Sequence, residues 1–87
     1  YHVLLWDDDH HTYDYVVRML AELFGKSMED AFLMAVEVDS QGRVVVETTH
    51  KEKAELMRDQ IHAYGKDSLI ASCAGSMWAT IEPETKS

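Results

Sequence analysis

What the sequence holds little of narrows the field first. Its 87 residues include one cysteine, and eight Lys and Arg against sixteen Asp and Glu. A lone cysteine, Cys73, makes no disulfide within the chain and no Cys-x-x-Cys pair, which fits a reducing compartment. The shortage of bases and the net charge of −8 argue against a nucleic-acid surface, which needs a Lys/Arg patch to neutralise phosphates. They argue equally against an anionic membrane surface. No apolar run approaches the ~20 residues of a membrane span, and no signal peptide is visible. Repeats, low-complexity segments and a Gly-rich phosphate loop are also missing. The chain opens at Tyr1 rather than Met, as a trimmed or processed form is expected to.

What is there suits a small globular domain. Hydrophobic residues make up 46% of the chain, too much for a disordered acidic segment. One domain is expected, with a small core. Tyr1–Trp6 is a short apolar run that reads as a strand buried on both faces or nearly so. After a polar connection, Thr12 is a candidate N-cap with Asp14 in the first turn. Val16, Leu20, Leu23 and Phe24 then mark one face of a helix that Gly25 stops.

Ser27-x-x-Asp30 opens a second helix with a stripe of Ala31, Met34, Ala35 and Val38. Ser40-Gln41-Gly42-Arg43 reads as a turn, followed by the β-branched strand Arg43–Thr48. Thr49-x-x-Glu52 opens a third helix, with Ala54, Met57, Ile61 and Tyr64 inward and Gly65 at its end. Lys66–Gly75 reads as a loop. Ser76–Glu82 alternates as a strand, with Met77, Ala79 and Ile81 on one face and Pro83 at its end. The order βααβαβ implies an α+β fold, a small layer sandwich of three helices on a three-stranded antiparallel sheet.

The densest polar feature is Asp7-Asp8-Asp9-His10-His11. Three readings compete for it: a hydrated loop, a metal site, or a pocket for an ammonium group. Adjacent residues seldom chelate one ion together, and metal-ligand spacings such as His-x-x-x-His are missing, so no metal is expected. Asp39 lies at the C-terminal end of the second helix, where a negative charge opposes the helix dipole. It is either a solvated turn residue or an acid with a task. No nucleophile elbow places a Ser, and Cys73 has no neighbouring His, so catalysis lacks support.

In order along the chain, several features resemble the ClpS family. These are the acids after a hydrophobic strand, the helix with VV…L…F, the S-x-E-x-A opening of the next helix, the QGR turn, the KEKAEL helix and the closing ATIEPE. The resemblance implies an adaptor core over 1–82 and a short tail over 83–87. It implies a bacterial, cytoplasmic, monomeric adaptor of the N-end rule pathway, not an enzyme, with no cofactor. Such an adaptor binds the free N-terminus of substrates that begin with Leu, Phe, Tyr or Trp. It passes them to a Clp AAA+ unfoldase of the ClpA or ClpC type and its ClpP peptidase.

By position, Asp7, Asp8 and Asp39 fall where the family holds the α-amino group. Asp9, His11, Tyr13, Val16, Ala35, Val38 and Met77 fall around its side-chain pocket. His10, Glu52 and Met57 fall on the surface that docks the unfoldase. The sequence departs from the family pattern with Asp7 for Asn, Asp39 for His, Ala35 and Tyr13 for Met, and Met57 for a base. A changed preference among Leu, Phe, Tyr and Trp is therefore expected, as in a divergent paralogue or an engineered amino-acid binder. The family also uses a flexible N-terminal extension to engage the unfoldase. This sequence starts at the core, so binding without delivery is expected of it. Two other readings stay open: a small metal-dependent or acid/base enzyme built on the Asp/His cluster, and a plain protein-interaction domain.

Overall fold

The computed structural model describes residues 1–7, 12–64 and 77–84. Strand β1 (His2–Trp6) takes the middle of the sheet, between β2 (Arg43–Thr48) and β3 (Ala79–Glu82), antiparallel to both. The central place follows from its composition. Val3, Leu4 and Leu5 are all buried, and an apolar run is best shielded from water with a strand paired on each side of it. Leu4 pairs with Val45, and Val3 with Glu47, so Val46 is the extra residue of a β-bulge. The bulge turns both Val46 and Glu47 toward the helices. Val46 joins the core, and Glu47 meets Lys26 at 3.7 Å and Lys53 at 3.2 Å.

Helices α1 (Tyr13–Phe24), α2 (Met28–Gln41) and α3 (Lys51–Tyr64) cover one face of the sheet. Two of the expected N-caps form. Thr12 Oγ1 accepts from the Tyr15 N–H at 3.2 Å, and Ser27 Oγ from the Asp30 N–H at 3.1 Å. Gly25 closes α1 at φ 65°, and Gly42 closes α2 at φ 84°. Both take the left-handed conformation that glycine adopts without a Cβ penalty.

Three boundaries differ from the sequence reading. Ser40 and Gln41 continue α2 rather than forming a turn, and the Ser40 hydroxyl donates to the Val36 carbonyl at 2.9 Å. The third helix begins one residue late, with the Ala54 N–H bonded to the His50 carbonyl. Thr49 is already committed to the sheet, since its N–H and C=O both bond to Tyr1. β3 begins at Ala79, because its ladder with β1 runs only from Leu5↔Ala79 to His2↔Glu82.

Beneath the helices, Val3, Leu5, Met19, Leu20 and Ile61 share one core cluster and are almost wholly buried. Among the described residues, no helix lies over the far face of the sheet. There Trp6 donates from Nε1 to Thr80 Oγ1 at 2.8 Å, and the Arg43 guanidinium lies 5.7 Å from its ring centroid. His62 ties α3 to β3. Its Nε2 lies 3.1 Å from the Ala79 nitrogen and 2.9 Å from the Ala79 oxygen, and its ring stacks on Trp78 at 4.9 Å.

Candidate functional site

Gly42 organises the site. Its N–H donates to the Val38 carbonyl at 2.9 Å and ends α2, while its own carbonyl accepts the Asp7 N–H at 2.9 Å. One residue thus fixes the last turn of α2, which carries Asp39, to the end of β1, which carries Asp7. Both acids are exposed. Tyr13, at the first turn of α1, completes the group. Its hydroxyl donates to Asp39 Oδ2 at 2.7 Å. That hydrogen bond holds the phenol above its ordinary pKa of 10, with burial and the negative charges of Asp39 and Asp7 adding to it. Asp7 and Asp39 therefore act on one phenol, although 32 positions separate them in sequence.

The Tyr13 ring packs edge-on against Phe32, with centroids 5.9 Å apart. Phe32 and Asp39 are two helical turns apart on one face of α2, with Ala35 and Val36 between them. Tyr13 touches both ends of this span, so its ring lies along the helix. Below, Val16, Ala35, Val38 and Met77 are all buried in the core cluster. As core residues they offer no exposed wall to a bound side chain.

The unfoldase-docking positions separate. Glu52 is exposed. Met57 is only 2% exposed and packs in the core with Ala54 and Ile61, which corrects its placement on a docking surface. The helical phase that points Ala54 inward points Met57 inward as well. Leu56, one turn after Glu52, is exposed instead. The positions Asp8, Asp9, His10 and His11 lie outside the described residues. Among the described residues, no group of three His, Cys, Asp or Glu side chains is placed to hold a metal ion. No helix among them is long and apolar enough to cross a membrane.

Sequence reasoning missed Phe32 and Leu56. Both stand outside the inward stripes that define their helices. For Phe32 a signal was available, because α2 also carries Met28, Leu33 and Val36 away from its buried face. A helix apolar on more than one face has a second surface to account for.

Two carboxylates and a phenol can surround a cation with charge-assisted hydrogen bonds. The fold is that of a small α+β domain. The family model described as ATP-dependent Clp protease adaptor protein ClpS matches residues 1–69, and the chain belongs to the ClpS family.

Relatives agree with this assignment. An ATP-dependent Clp protease adapter protein ClpS from Desulforapulum autotrophicum is 31% identical over 67 residues, 77% of this chain and 64% of that protein. The protein of that name from Nautilia profundicola is 29% identical over 78% of this chain and 70% of its own length. That from Mycobacterium marinum is 28% identical over 93% and 69%. The matched region is thus about two thirds of each relative's length. These relatives are named as adapters, not as enzymes.

Proposed function

We propose that this chain is a substrate-recognition adaptor for a Clp AAA+ protease. It binds the free α-amino group and the bulky apolar first residue (Leu, Phe, Tyr or Trp) of its substrates. The observation that carries this reading is the convergence of Asp7 and Asp39 on Tyr13, beside the half-exposed ring of Phe32. An ammonium group needs acceptors and negative charge, and the two acids supply them. A large first side chain needs an apolar seat, and burying it contributes roughly 1.5–3 kcal/mol.

Asp8 belongs to the same ammonium-binding set, and Asp9 and His11 to the surround of the side chain, by position in the family. The protein acts as a monomer in the bacterial cytoplasm. It hands substrates to an unfoldase of the ClpA or ClpC type with ClpP, and His10, Glu52 and the exposed Leu56 face that partner.

Calorimetric titration with short Phe- or Leu-initiated peptides tests the reading. Binding is expected with a free N-terminus and is expected to vanish when that N-terminus is acetylated. Binding indifferent to acetylation would reject it.

A further inference from the structure

Helix α2 carries a second apolar surface that the core does not use. Met28, Phe32 and Val36 recur every four residues along it, and Leu33 widens the stripe. All four are exposed, Met28 to 66% and Leu33 to 58%. Large side chains left in water in such a row mark an interaction surface. The stripe is continuous with the candidate site, since Phe32 touches Tyr13 and Tyr13 bonds Asp39. From Asp39 back to Met28 the helix rises about 16 Å at ~1.5 Å per residue. An extended peptide covers that distance in about five residues at ~3.3 Å each.

The charge around the stripe selects the occupant. α2 contains Glu29, Asp30, Glu37 and Asp39 and no Lys or Arg. Among the described residues, none of these four acids takes part in an ion pair. A second copy of this chain would bring the same acids against them, and like charges across an interface oppose association. An anionic membrane or nucleic acid is repelled for the same reason. A segment with apolar residues and Lys or Arg between them complements both the stripe and its rim.

We propose that this face of α2 is the track for the residues following a substrate's first residue, and that it selects extended segments that alternate apolar and basic side chains. The proposal rests on the reading that the Asp7–Asp39–Tyr13 group holds the substrate's N-terminus. It makes the protein a reader of the first six or so residues rather than of one.

The test compares three C-terminally labelled peptides by fluorescence anisotropy with the whole chain: Phe-Leu-Lys-Leu-Lys-Leu, Phe-Ser-Lys-Ser-Lys-Ser and Phe-Ser-Glu-Ser-Glu-Ser. The Leu/Lys peptide is expected to bind about tenfold more tightly than the Ser/Lys peptide of equal charge. The Ser/Glu peptide is expected to bind most weakly. A Met28→Ser, Leu33→Ser double variant, altered only at exposed positions, is expected to reduce the Leu/Lys preference to about twofold. The same variant should leave the affinity for phenylalanine amide unchanged.

Equal affinity for the Leu/Lys and Ser/Lys peptides, both still sensitive to acetylation, would overturn the track and leave N-terminal recognition standing. A preference untouched by the double variant would also overturn it. Insensitivity of all three peptides to acetylation would overturn both. A concentration-dependent dimer in sedimentation, dissolved by the double variant, would assign the face to a second copy and overturn the track.

Discussion

Tyr13 stands between a carboxylate it bonds, a second whose field it feels, and an aromatic ring it packs against. Its phenol is held above the ordinary value of 10, first by the Asp39 hydrogen bond and then by burial and the acids' charge. The sign matters for binding. A raised pKa keeps the phenol protonated, and donating to Asp39, through the alkaline range where a peptide's α-amino group, pKa about 8, loses its proton. Affinity for a Phe-initiated peptide is therefore expected to fall as pH rises through about 8, the loss belonging to the ligand. A Tyr13→Phe variant is expected to show the same alkaline midpoint. Titrations of both proteins between pH 6 and 10 check this, and a midpoint that moves with the substitution would contradict it.

At the scale of elements, a polar contact at the surface joins α1 and α3. The Tyr64 hydroxyl donates to Glu22 Oε2 at 2.7 Å, and the Tyr64 ring packs edge-on against Tyr15. Burial, then the Glu22 hydrogen bond and charge, push the Tyr64 phenol up to about 12. The folded value lies above the unfolded one, so this contact stabilises the fold fully below pH 10. Its contribution is lost as pH rises through about 12. Solvent screening of a half-buried group keeps the contribution on the order of 1 kcal/mol. Urea midpoints for the wild type and Tyr64→Phe are expected to differ at pH 8 and to converge toward pH 12.

The same elements show what could be read in advance. Helix starts at Thr12 and Ser27 and the helix end at Gly25 were legible, because capping is local chemistry written in single residues. The start of α3 was not. Whether Thr49 caps a helix or extends a sheet depends on Tyr1, forty-eight positions away, and on the bonds the two share. Within the site, Asp7, Asp39 and Tyr13 could be singled out from the sequence as candidates. The Tyr13–Asp39 bond could not, because it depends on how α1 crosses α2.

At the scale of the molecule, the three helices protect one face of the sheet and leave the other to short polar contacts around Trp6. The acidic charge is also unevenly placed. α2 concentrates four acids without a base, whereas Arg18, Lys26, Lys53 and Arg58 elsewhere each meet a carboxylate. A net charge of −8 thus has a direction as well as a size, and it favours approach of a positively charged partner along α2.

The placement of the two tryptophans has an optical consequence. Trp78 is 62% exposed and stacked on the His62 ring, far in character from Trp6, which is half-buried and fastened through its indole nitrogen to Thr80. Trp6 is also the residue before Asp7, whose backbone is fixed to Gly42. An ammonium bound at Asp7, as proposed, would act on the Trp6 indole one residue away more directly than on Trp78. Intrinsic emission is therefore expected to shift when an unlabelled Phe-initiated peptide binds. The shift should persist in Trp78→Phe and disappear in Trp6→Phe, so the strand that positions the first acid also works as a built-in spectroscopic gauge of occupancy.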